Sequence, residues 1–148
     1  MARDTDIGFP VGTNEVGSTL IIQKTINQNT IVAGGVDLTG VSTVGALEID
    51  DVIAQVATAV DSTGHAAVIE LYTDNVLGNK SFCTMAQAKL PVNGICDFKN
   101  ATTALKVTLE TGKKIKVKAT TENVTSNANI TFTIILRRMV AGATILPV

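Results

Sequence analysis

Strict two-residue alternation is the feature that most constrains this chain. Ile130, Phe132, Ile134 and Leu136 alternate with Thr131, Thr133 and Arg137. Leu105, Val107 and Leu109 alternate with Lys106, Thr108 and Glu110, and Ile115, Val117 and Ala119 with Lys114, Lys116 and Lys118. A strand sends successive side chains to opposite faces, so each run reads as a strand with one buried and one wet face. Strand segments recur at roughly the 8–12-residue spacing of sandwiches and barrels. The expected fold is all-β: an antiparallel β-sandwich or jelly-roll-like barrel with an extended N-terminal arm. The 148 residues suffice for one domain with a real core. With no Trp and only four Phe, that core must be built of Val, Ile, Leu and Ala.

Three parts are expected. Residues 1–17 are an arm broken by Gly8, Pro10, Gly12 and Gly17, in which Ile7, Phe9 and Val11 alternate. Residues 18–140 form the β domain, and residues 141–148 a tail. Thr30–Ala33 reads as a short strand. Within 46–60, Ile49, Ile53, Val56 and Val60 fit helical spacing. Leu47, Ile49, Val52, Ala54 and Val56 fit a strand with a slip near Asp50-Asp51, which the β-branched content favours. Ser81–Ala86 and Ile95–Phe98 flank a loop with the turn dipeptide Asn93-Gly94. The clearest hairpin joins Ala104–Glu110 to Lys114–Thr121 through Thr111-Gly112-Lys113. Cys83 and Cys96 are expected to face each other across the Pro91–Gly94 turn, as two buried free thiols rather than a disulfide.

Net charge is −1, but the halves differ. Residues 1–75 carry ten acids and two bases, a balance of −8; residues 76–148 carry three acids and ten bases, a balance of +7. Segregated halves would let neighbouring copies meet acidic to basic. Interleaved strands would average the field instead. Lys106, Lys114, Lys116 and Lys118 form a basic face on the expected hairpin, either a solvated face or a grip for an acidic protein partner. With 3% aromatics, base stacking on nucleic acid is not expected.

No chemistry-bearing constellation emerges. Asp50, Asp51, Asp61, Glu70 and Asp74 match no calcium-loop spacing and read as strand-end and turn acids. His65 follows the turn residues Asp61, Ser62 and Thr63, and the chain has no nucleophile elbow. Gly34-Gly35 lacks the Lys-Ser/Thr ending of a phosphate loop. No cofactor, no metal and no enzymatic activity are expected. Met1–Asp6 is charged with no apolar run behind it, and no stretch approaches a membrane span. Synthesis in a cytoplasm, with no membrane partner, is the expectation.

Leu47-Glu48-Ile49-Asp50-Asp51-Val52-Ile53, then Asp61–Gly64, Ala67–Thr73 and the closing Thr131–Arg138, follow one another in an order that resembles small tailed-bacteriophage virion proteins. The likeness, over residues 43–140, is strongest to capsid decoration (cement) proteins with a jelly-roll-like domain. That resemblance implies a non-enzymatic protein on the outer capsid surface, often a trimer, that reinforces junctions between major capsid subunits. Its partner would be the major capsid protein. Ile7, Phe9 and Val11 of the arm, with the four lysines, are the expected contact residues. A receptor-binding or other structural β module of a tail or fibre is the alternative, and a β-barrel pocket protein a third class.

Overall fold

A computed structural model describes residues 15–60, 67–121 and 123–148. It bears out the all-β expectation: two antiparallel sheets enclose one core. The strands are β1 (Thr19–Asn27), β2 (Val36–Asp37), β3 (Ser42–Thr43), β4 (Leu47–Val56), β5 (Val68–Thr73), β6 (Lys80–Ala86), β7 (Ile95–Cys96), β8 (Thr103–Ala104), β9 (Val107–Leu109), β10 (Ile115–Ala119), β11 (Asn129–Arg138) and β12 (Thr144–Ile145). The first sheet runs β1-β11-β4-β7, with β9 also on β4; the second runs β2-β10-β5-β6-β8. β3 and β12 pair separately, so the stretch expected as a tail contributes a strand.

The alternation built the sandwich as read. Ile130, Phe132, Ile134 and Leu136 of β11 are buried, as are Ile115, Val117 and Ala119 of β10. Both sets belong to one core cluster with Leu47, Ile49, Val52 and Ala54 of β4. The ambiguous stretch 46–60 is strand over Leu47–Val56. Its slip is a β-bulge: Ile135 pairs with Asp51 but Leu136 with Ile49, leaving Asp50 as the extra residue. Without that extra residue, every apolar side chain on one side of Asp50 would be turned to water. Asp51 settles by accepting from the N–H groups of Val52 (2.8 Å) and Phe98 (3.1 Å).

Two pairings correct the sequence reading. Ala104–Glu110 and Lys114–Thr121 form no hairpin. β9 adds to β4 in the first sheet, while β10 adds to β2 and β5 in the second, so the Thr111–Lys113 turn crosses between layers. The 104–110 run is also split, with β8 on β6 and β9 on β4. Likewise β6 and β7 lie in different sheets, although Asn93-Gly94 turns as expected, with Asn93 at φ 57°. The reason is topological: among the described strands, only β5 and β6 pair as sequence neighbours across a turn. Thr30–Ala33 is not a strand either. Gln28–Thr30 forms a 3-10 turn capped by the Asn27 side chain, and Ile31 is buried beyond it.

Candidate functional site

The lysines of β10 point outward because the intervening Ile115, Val117 and Ala119 fill the core. The structure does not gather the four lysines on one face. Lys114 and Lys116 both reach Asp37 of β2, the former at 2.6 Å. Lys118 lies 3.6 Å from Glu70 on β5, directly opposite it in register, and 5.0 Å from the centre of the Tyr72 ring. Lys106 belongs to the other sheet's edge, 3.2 Å from Asp50. Arg137, absent from the sequence-based candidates, pairs with Glu48 and Asp50.

Each of the six ion pairs among the described residues joins an acid of the first half to a base of the second. The charge asymmetry of the sequence is therefore spent inside one chain wherever these pairs form. Of the two readings of the charge, interleaving is the one observed. The signal was present in the alternation of Glu48 and Asp50 with Leu47 and Ile49, but their partners lie 56–89 positions away in sequence.

Asp37 sits between two ammonium groups. Hydrogen bonds from Lys114 and Lys116 hold its carboxyl below the ordinary 3.8, against a smaller opposing effect of burial. Reciprocally, the Asp37 hydrogen bond raises Lys116 above 10.5. The carboxylate's contribution is present above its unfolded value and lost as pH falls through the depressed folded one. The ammonium's is present below its unfolded value and lost as pH rises through the raised one. Asp37→Asn should therefore lower stability on the neutral plateau by about 1 kcal/mol, the scale of a partly screened ion-pair network. It should also flatten the loss of stability below pH ~4. Urea midpoints of both proteins across pH measure this; parallel curves would show that the cluster carries no such contribution.

Cys83 on β6 and Cys96 on β7 come from opposite sheets, and both are free and buried. Burial first, and then Cys96, pushes the Cys83 thiol up to about 12. Burial likewise raises Cys96. Neither is a nucleophile near neutral pH. Among the described residues no group of three or more His, Cys, Asp or Glu is placed to hold a metal ion. His65, Asp61, Ile7, Phe9 and Val11 lie outside the described residues.

Two surface features remain. β1 ends its sheet, and no described residue pairs with its outer edge. Such an edge can accept one further strand. Beside it lies a groove of about 400 Å³, bordered by Ile22 and Lys24 of β1, Leu38, Ile134 and the C-terminal run 145–148.

Neither a protein-family model nor a curated protein matches the sequence. Solved structures do match the fold. A chain of the capsid of Ralstonia phage GP4 is similar at a TM-score of 0.56 with 12% identity, covering 83% of this chain and 86% of that one. A chain of the acidic stable capsid structure of Helicobacter pylori bacteriophage KHP30 is similar at 0.57 with 13% identity, covering 87% and 95%. At these identities the likeness is one of fold: this chain is an antiparallel β-sandwich whose architecture also occurs in phage capsids.

Proposed function

We propose that this chain is a non-enzymatic structural protein of a tailed-phage virion. In this reading it binds the outer surface of the capsid as a homo-oligomer, a trimer first among the options, and reinforces contacts between major capsid subunits. The observation that carries the reading is the fold likeness, over 83% and 87% of this chain, to chains of two phage capsid structures. Internal neutralisation of charge suits a passive part that must not aggregate through its own opposite halves. The arm then supplies the extended contact. Burying Ile7, Phe9 and Val11 on a capsid subunit yields several kcal/mol at about 25 cal/mol per Å², before ordering costs. Repetition over a lattice multiplies it. The lysines, each already facing an acid, contribute registry rather than the main affinity.

The test is titration of purified shells with the full chain. Saturation at a fixed number of copies per shell is expected; absence of the protein from sedimented shells would reject the reading.

A further inference from the structure

The outer face of the first sheet carries an uncharged polar concavity. The registers align Thr25 of β1, Thr131 of β11, Gln55 of β4 and Ile95 of β7 in one row. Their chain neighbours Phe132, Ala54 and Cys96 face the core, so the row faces out. The Thr25 and Thr131 hydroxyls lie 2.8 Å apart and share one hydrogen bond. Whichever of them accepts keeps its own O–H for a further partner. Asn129 stands two residues before Thr131, on the same face of β11. Asn93 arrives on the β6–β7 turn, which is tied to the end of β4. The Val56 N–H donates to the Gly94 carbonyl at 3.1 Å, and the Gly94 N–H to the Pro91 carbonyl at 2.7 Å.

Thr25, Gln55, Asn93, Asn129 and Thr131, with Val56 and Ala57, line a space of about 440 Å³. Three amides and two hydroxyls converge there, and no side chain in that lining is ionisable or aromatic. The Gln55, Asn93 and Asn129 amides have no partner among the described residues. Amides around them are tied into the fold. Asn27 donates to the Asn127 carbonyl, Asn29 to the Asn127 side chain and Gln23 to the Thr133 hydroxyl, each at 3.1 Å. Asn93 is held at φ 57°, which asparagine tolerates, so its turn presents the amide at little ordering cost.

We propose that this concavity binds a neutral saccharide. A side-chain amide offers a donor and an acceptor side by side. A vicinal pair of sugar hydroxyls offers the reciprocal acceptor and donor. With no Lys or Arg in the lining there is nothing to hold a phosphate, and with no ring nothing on which a base stacks, so a nucleic acid does not fit. Val56 is buried and Ala57 is small, which leaves no apolar anchor for a protein partner. The volume is that of a small-molecule site. Without a ring to pack on the sugar, a single site should be weak, with a Kd of about 1 mM. The site stands independently of the virion reading; on a particle carrying many copies, avidity would compensate for that weakness.

The test is NMR titration of the full-length protein with glucose, galactose and mannose. Each sugar carries several vicinal hydroxyl pairs, so at least one should shift the Gln55, Asn93 and Asn129 side-chain amide signals and reach saturation. The affinity should not change with salt, because no charge takes part. Gln55→Ala and Asn93→Gly should each weaken binding about fivefold, the scale of one hydrogen bond, and together abolish it. Melting temperatures should stay within a few degrees, since Gln55 is exposed and glycine accepts φ 57°. No shift with any of the three sugars at about fiftyfold above that Kd would overturn the proposal. So would shifts scattered over the surface, or binding that survives in the double variant. Concentration-dependent shifts of the same amides without sugar would assign the face to a second copy and overturn it as well.

Discussion

Replacing Phe132 with alanine is expected to cost about 3–5 kcal/mol of folding stability, the range for deleting a fully buried aromatic ring. The upper part of that range applies here. β11 is the strand on which both β1 and β4 pair, and Phe132 lies at its middle, fully buried. Its register partners are Lys24 on β1 and Ala54 on β4. Lys24 is a charged side chain and Ala54 is small, so neither can refill the space with apolar bulk. With no Trp and four Phe in the chain, aromatic volume in the core is scarce. At about 2–4 °C per kcal/mol for a domain of this size, the melting temperature should fall by roughly 10 °C. Ile21→Ala on the exposed side of β1 is the control, expected within about 0.5 kcal/mol of wild type. Urea unfolding with an unchanged m-value measures both; equal midpoints for the two variants would contradict the packing account.

Removing residues 1–14 is expected to leave a folded domain that has lost about a hundredfold or more in affinity for shells. Roughly 3 kcal/mol of net contact corresponds to that factor, and three apolar side chains supply it. The cut belongs after residue 14 because the next residues are part of the fold. The Ser18 N–H closes a turn on the Glu15 carbonyl at 3.0 Å, and the Gly17 N–H donates to Arg138 at 2.7 Å. Buried Arg138 in turn donates to the Ser18 hydroxyl and the Thr19 carbonyl, both at 3.2 Å, and to the Ala143 carbonyl at 2.8 Å. A cut after residue 17 would damage this corner and confuse lost binding with lost stability. Equal shell binding by the truncated and full-length proteins would show that the arm is not the contact.

Local structure was legible where the side-chain period alone decides it. β10 and β11 follow directly from Lys-Ile-Lys-Val and Thr-Phe-Thr-Ile alternation, and even the bulge at Asp50 showed as a one-residue slip in β4. Pairing was not legible. Thr111-Gly112-Lys113 and Asn93-Gly94 do turn the chain, but a turn between two strands fixes direction and not the sheet that the second strand joins. Here β1 pairs with β11 about 110 positions away, and successive strands mostly change layers. The same topology explains the candidate contacts. Lys106, Lys114, Lys116 and Lys118 suggest one basic face in sequence, whereas Lys106 and Lys114 belong to different layers, and their acids come from the first half of the chain. The exposed apolar residues Val16, Val44, Leu77 and Val140 share no sequence signature, because they come from four separate turns.

The central claim is most directly tested by the copy number on shells. Purified full-length protein should saturate empty shells at a fixed, symmetry-compatible number of copies and appear as discrete density on the outer surface in cryo-electron microscopy of the particles. Shells that stay bare at saturating protein, or density confined to the tail, would contradict it.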